Sequence, residues 1–190
     1  MEIKKITDKV SVSPQITASD ISEIKEAGYR AIICNRPDGE GSDQPSFEEI
    51  EKAAKKAGLV AAYLPVETGM VTDENVVEFG NIVKDLPRPL LGYCRSGTRS
   101  ATLWSLHEAQ KRPLPEILAA TKAAGYDMNG VARRVANGGK TPTQSGDAKF
   151  DIVIVGGGAG GIATASSLLA RKSSLSIAII DPSDVHYYQP

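Results

Sequence analysis

Two cysteines and two histidines in 190 residues leave little material for a metal centre. No Cys-x-x-Cys pair and no histidine cluster at ligand spacing occurs, so no metal site is expected. An excess of one charge is missing too. The 22 Lys and Arg face 23 Asp and Glu, a formal net charge of -1. A nucleic-acid surface or a polybasic membrane patch needs a basic surplus that this chain lacks. No apolar run approaches the roughly 18 residues of a spanning helix, and no apolar h-region follows Lys4 and Lys5. A cytosolic, reducing location is expected.

What the chain does have is a cysteine in a reactive setting. Leu90-Leu91-Gly92-Tyr93 reads as an apolar strand that delivers Cys94 into Arg95-Ser96-Gly97-Thr98-Arg99-Ser100, a loop that opens a helix. Converging backbone N–H groups and the positive end of that helix favour an anion. A helix start with nearby arginine takes a cysteine pKa from about 8.5 into roughly 3.5–7.5, leaving a thiolate nucleophile at neutral pH. Arg95 and Arg99 are the expected anion stabilisers, with the loop of Ser96, Gly97 and Thr98, and the Ser100 hydroxyl, as hydrogen-bond donors. Cys34 ends the apolar run Ala31-Ile32-Ile33-Cys34 and is expected to be structural, with a resolving thiol for Cys94 as the alternative. His107 lies about two turns into the following helix and is not expected to face the cysteine.

Around this loop the pattern alternates strands and helices. Helical spacing covers 19–27, closed by Gly28, and a strand covers 31–34. Residues 35–45 are turn chemistry throughout. Ser46 and Glu49 form a capping-box signature for a helix with Phe47, Ile50, Ala54 and Ala57 on one face. A strand at 60–65 follows, then a helix from Thr72 with Val76, Phe79, Val83 and Leu86 at core spacing, stopped by Pro87 and Pro89. Further helices are expected at 100–111, 115–124 and near 128–136. Strands separated by helices imply an α/β domain over 1–137, a largely parallel sheet flanked by helices, with the reactive loop at the carboxyl end of a strand.

Residues 138–149 contain no large apolar side chain and read as a linker. Beyond it, Phe150-Asp151-Ile152-Val153-Ile154-Val155 leads into Gly156-Gly157-Gly158-Ala159-Gly160-Gly161, a helical run and a second apolar strand that ends at Asp181. This is Gly-x-Gly-x-x-Gly in its strand-to-helix setting, with an acidic residue where a ribose hydroxyl is bound. One β-α-β unit encloses too little of a dinucleotide to hold it. Residues 150–190 are therefore expected to be an incomplete Rossmann-type unit, the start of a flavoprotein, and the 190-residue chain is not expected to retain FAD.

Asn35-Arg36-Pro37-Asp38-Gly39-Glu40 and Cys94-Arg95-Ser96-Gly97-Thr98-Arg99-Ser100 make residues 1–137 resemble the beta-lactamase-hydrolase-like, phosphatase-like domain family. That resemblance implies a dual-specificity-phosphatase-like fold. Residues 150–190, through the glycine fingerprint and Asp181-Pro182-Ser183-Asp184-Val185-His186-Tyr187-Tyr188-Gln189-Pro190, resemble the amino terminus of sulfide:quinone oxidoreductases. The second resemblance implies FAD, with its pyrophosphate at Gly156, Gly158 and Gly161 and its ribose at Asp181. Quinone and a membrane surface would enter only through parts of a longer protein.

Three activities fit the first module. Cysteine phosphatases resemble Cys-x5-Arg, whereas four residues separate Cys94 from Arg99, and Ser100 stands where the phosphatase arginine would be. The shorter loop is closer to that of rhodanese-like sulfurtransferases. Tyr93 replaces the histidine that usually precedes the nucleophile, and Val66-Glu67-Thr68 replaces the usual aspartate loop, leaving Glu67 or Asp38 as candidate general acids. A sulfurtransferase acting through a Cys94 persulfide is the main expectation. A cysteine phosphatase acting on a small phosphorylated substrate, and a non-enzymatic thiol sensor or sulfur carrier, are the alternatives.

Overall fold

The computed structural model describes residues 2–42, 44–142 and 150–180. The chain divides into two compact units, residues 1–142 and 143–190.

The first unit is built on a five-stranded sheet of β1 (Lys4–Lys5), β2 (Val10–Ser13), β3 (Ala31–Cys34), β4 (Val60–Tyr63) and β5 (Leu90–Tyr93), in the order β1-β2-β5-β3-β4. The last four are mutually parallel and β1 runs antiparallel to β2. The register aligns Ser13 with Tyr93, Tyr93 with Cys34, and Cys34 with Tyr63. One row of residues thus closes the carboxyl edge of four strands, and the segments leaving that edge converge beyond it.

Helices cover both faces. α1 (Ile21–Glu26) and α2 (Phe47–Lys56) pack Ile21, Ile24, Ile50 and Ala54 against Ile32, Leu91 and Tyr93. On the other face lie α3 (Asp73–Asp85), α4 (Thr98–Glu108), α5 (Leu114–Ala123) and α6 (Ala132–Ala136). They contribute Val76, Phe79, Leu103, Trp104, Ile117 and Val135. Each fully buried large side chain contributes about 1.5–3 kcal/mol. Helix starts are locally encoded. Ser46 Oγ accepts from Glu49 N at 3.2 Å while Ser46 N donates to Glu49 Oε2 at 3.0 Å, and Thr72 with Asn75 repeats the device for α3.

Three features differ from the sequence reading. β2 was not anticipated: Val10-Ser11-Val12-Ser13 alternates like a half-wet strand, yet all four residues are buried because the strand lies beside β5 near the middle of the sheet. α4 begins at Thr98 rather than Ser100, since Gly97 at φ 90° turns the chain directly into the helix. The first unit runs to Pro142 rather than 137. Gly139 N donates to Arg134 O, and Thr141 donates N–H and hydroxyl to Asp73, fixing chain assigned to the linker.

In the second unit β6 (Ile152–Val155) pairs parallel with β7 (Ile177–Ile180), linked through α7 (Ala159–Arg171). A Cβ on Gly161 would collide with the Gly156 carbonyl, so helix and strand approach this closely only without side chains. Val155, Ile162 and Ile180 are exposed. Asp181 and the segment after it lie outside the described residues. Among the described residues no helix is long and apolar enough to cross a membrane.

Candidate active site

β5 ends at Tyr93, and Cys94 follows at 1% exposure. The chain then folds back over the thiol. Gly97 N–H donates to Cys94 Sγ at 3.1 Å from the N-cap position of α4. The loop is pinned from several elements. Gln15 N, beyond β2, donates to Arg95 O at 3.4 Å, and Tyr126 Oη donates to Ser96 O at 3.1 Å. A Cβ on Gly97 would strike the Tyr126 hydroxyl, so glycine is required here by space as well as by φ. Burial pushes the Tyr126 phenol pKa up.

Arg99, 7% exposed, faces the loop after β3. Its Nη1 donates to Glu40 Oε1 at 2.7 Å and to Val66 O at 2.7 Å, and Nη2 donates to Glu40 Oε2 at 2.8 Å. This is a forked guanidinium–carboxylate pair. Arg36 Nε adds a bond to Glu40 Oε2 at 2.6 Å and Arg36 Nη1 reaches Gln15 Oε1 at 3.0 Å. Hydrogen bonding from Arg99, opposed by burial and helped by Arg36, holds the Glu40 carboxyl at about 2, below its ordinary 4.5.

The hydroxyls divide their work. Ser100 Oγ does not turn to the thiol; it donates to Asn35 Oδ1 at 2.8 Å, because the first turn of α4 packs onto β5 at Gly92 and aims Ser100 into the sheet edge. Asn35 Nδ2 in turn donates to Leu64 O at 3.1 Å, tying the β3, β4 and β5 exits together. Ser96 and Thr98 hydroxyls bond each other at 3.1 Å. Arg95 is exposed and makes no ion pair among the described residues.

Neither candidate general acid, Asp38 or Glu67, is among the residues that line the cavity over the loop. Asp38 Oδ1 accepts from Phe47 N at 2.8 Å, which caps α2. Glu67 is exposed, while its neighbours Thr68 and Gly69 line the cavity over the loop. That cavity, about 490 Å³, is completed by Arg95, Ser96, Thr98 and Arg99 of the loop and α4, and by Val71, Thr102, Val131 and Arg134. Cys34 is buried and donates through Sγ to Arg36 O at 3.3 Å, and burial pushes its thiol pKa up. His107 packs on α3 at Gly80, away from this end of the sheet.

Sequence reasoning gave no role to Asn35, Glu40, Gln15 or Tyr126. Glu40 and Arg99 are 59 residues apart and Tyr126 and Ser96 are 30 apart, so no local spacing signals either contact. In the second unit Gly156, at φ 108°, and Gly158 have open space where side chains would stand, and Gly158 is the N-cap of α7. These residues fit a pyrophosphate on a helix start.

A cysteine loop at the carboxyl edge of this sheet, with helices on both faces, defines a phosphatase-like α/β domain. The chain belongs to the family described as the beta-lactamase hydrolase-like protein, phosphatase-like domain, matched over residues 2–111. It is 31% identical over 130 residues to the beta-lactamase hydrolase-like protein of Xylella fastidiosa, covering 67% of this chain and 30% of that one. It thus spans under a third of that relative's length. A candidate phosphatase of Neisseria meningitidis with a solved structure is 34% identical at TM-score 0.66, covering 73% of this chain and 99% of that one. The core catalytic domain of the yeast PP-IP phosphatase SIW14 has the same fold at 14% identity and TM-score 0.54, covering 70% and 82%. A short segment is 58% identical over 40 residues to the mitochondrial sulfide:quinone oxidoreductase of Dictyostelium discoideum, covering 20% of this chain and 9% of that one.

Proposed function

We propose that residues 1–142 form a cysteine-dependent sulfurtransferase. One observation carries the reading: among the described residues no carboxylate lines the cavity over the nucleophile loop. Glu40 is clamped by Arg99 and Arg36, Asp38 caps α2, and Glu67 is exposed outside the cavity lining. Hydrolysis of an alkyl phosphate needs a proton for the departing oxygen. Sulfur transfer does not. The Cys94 thiolate attacks the outer sulfur of thiosulfate, the sulfur–sulfur bond breaks, and sulfite leaves with the electron pair. An acceptor thiolate then attacks the outer sulfur of the Cys94 persulfide, forming its own persulfide and returning the Cys94 thiolate. Loop amides and Arg95 stabilise the anions at each stage.

The second reading is a cysteine phosphatase with a phosphocysteine intermediate, favoured by the Neisseria relative, 99% of which this chain covers at 34% identity. Mass spectrometry of Cys94 after separate exposure to thiosulfate and to an aryl phosphate decides between them. Addition of one sulfur atom, lost on adding a thiol, supports transfer. A phosphoryl adduct from the aryl ester, without sulfur uptake, supports the phosphatase. Unmodified Cys94 in both supports a non-enzymatic sensor, and a sulfur adduct formed without turnover to an acceptor supports a sulfur carrier.

The glycine turn of the second unit is proposed to take the FAD pyrophosphate at Gly156, Gly158 and Gly161 within a longer flavoprotein, where the flavin would supply two-electron oxidation of sulfide. Sulfane sulfur made there is chemically the substrate that Cys94 would accept.

A further inference from the structure

The cavity over the nucleophile loop is larger than its chemistry requires. An oxyanion centred on sulfur or phosphorus fills a small part of about 490 Å³, a volume in the range of sites that enclose a whole small molecule. The rest of a substrate would lie against Val71, Thr102, Val131 and Arg134. That wall is two valines and a threonine around one guanidinium, an apolar surface with one charged anchor.

Arg134 is held in place but not used up. Nη1 donates to Val71 O and Nη2 to Asp73 Oδ1 at 2.7 Å, and the side chain is 16% exposed. Its Nε–H is buried without a hydrogen-bond partner among the described residues. An unpaired buried donor carries a free-energy cost. The Asp73 carboxylate is shared, because Oδ1 also accepts from Thr141 N and Oγ1. Of the guanidiniums in this region, Arg36 and Arg99 divide Glu40 between them, Arg134 has part of Asp73, and Arg95 has no ion pair among the described residues. With Arg36 and Arg99 engaged by Glu40, Arg95 at the near end and Arg134 at the far end are the cations of the cavity lining left to meet an anion.

We infer that the full substrate, for which thiosulfate is only the minimal donor, carries a second anionic group, a carboxylate or a phosphate, joined to the reacting centre by a short apolar linker and read by Arg134 across Val71 and Val131. This rests on Cys94 as the reacting atom and adds the substrate class. Arg134 selects the far end, and Arg95 with the loop amides selects the near end.

Calorimetric titration of the full chain carrying Cys94→Ser tests it without chemistry. The probes are butylphosphonate, the carboxylate-ended phosphonobutyrate and butane bisphosphonate. At least one anion-ended probe should bind about tenfold tighter than butylphosphonate, and Arg134→Met should remove that gain while leaving butylphosphonate unchanged. Because Arg134 also ties α6 to α3, Val131→Glu provides an independent check: it keeps that tie and should remove the same gain by repulsion. Equal binding of all three probes, or an equal loss for all three in both variants, would overturn the inference. The proposed chemistry fails separately, by an unmodified Cys94 in the mass-spectrometric experiment, whatever the order of these affinities.

Discussion

Gly97 meets two demands at once. Its φ of 90° belongs to the left-handed region, and the Tyr126 hydroxyl stands where a Cβ would be. A left-handed alanine costs about 1–2 kcal/mol before any clash, so Gly97→Ala should displace the loop and abolish Cys94 reactivity in a chain that still folds. Tyr126→Phe is the milder change. It removes the bond to Ser96 O, a loss of about 1 kcal/mol. Transfer from thiosulfate should slow about fivefold with KM little changed, since the phenol bonds to the loop backbone and does not itself line the cavity. A wild-type rate in Tyr126→Phe would show that the loop holds its shape unaided. The two cysteines should separate cleanly. Cys94→Ser keeps the shape but forms no persulfide, so transfer should vanish, whereas Cys34→Ser retains a hydroxyl to donate to Arg36 O and should stay active. Loss of transfer in both folded variants would point instead to a two-thiol relay.

The segment from Asn35 to Glu40 has no regular structure of its own, yet it fastens three strand exits to α4. Its key is the Glu40 fork on Arg99, and because Glu40 is partly open to solvent, removing one partner of this bidentate pair costs about 1 kcal/mol. Glu40→Ala should lower the urea midpoint accordingly. The folded pKa of about 2 lies below the ordinary 4.5, so the pair adds stability that is fully present above about pH 4.5 and is lost as pH falls toward 2. Urea titrations of wild type and Glu40→Gln at stepped pH should show a gap at pH 6 that closes through this window. A gap of constant size would assign the effect to shape rather than charge. The same elements show what a sequence exposes. Cys94, its glycine and the Ser46–Glu49 capping box were legible because each signal lies within a few residues. Asn35, Glu40, Gln15 and Tyr126 were not, because their contacts are made only when parallel strands bring their carboxyl ends into one row. β2 was missed for a related reason: four residues of alternating Val and Ser are too short a signal, and only placement beside β5 makes them core.

At the scale of the whole chain the boundary of the first unit is set by side chains rather than composition. Residues 138–142 have the glycine, lysine, threonine and proline of a linker, but Gly139 returns to Arg134 O, and Thr141 holds Asp73 at the first turn of α3. Arg134 meets the same carboxylate, so α6, the chain after it and the start of α3 share one anchor. Hydrogen bonds from Thr141 lead the causes that hold the Asp73 carboxyl below its ordinary value, which keeps the anchor charged in mildly acidic solution. A chain of residues 1–142 should therefore fold alone with the thermal midpoint of the first unit unchanged. A chain of residues 1–137 loses the Thr141 bonds and should be less stable by about 1 kcal/mol, a shift of roughly 2–4 °C for a domain of this size. Thr141→Val in the longer chain should reproduce most of that loss. If 1–137 and 1–142 melt together, the five added residues contribute nothing to the fold, and the composition-based boundary at 137 is the better one.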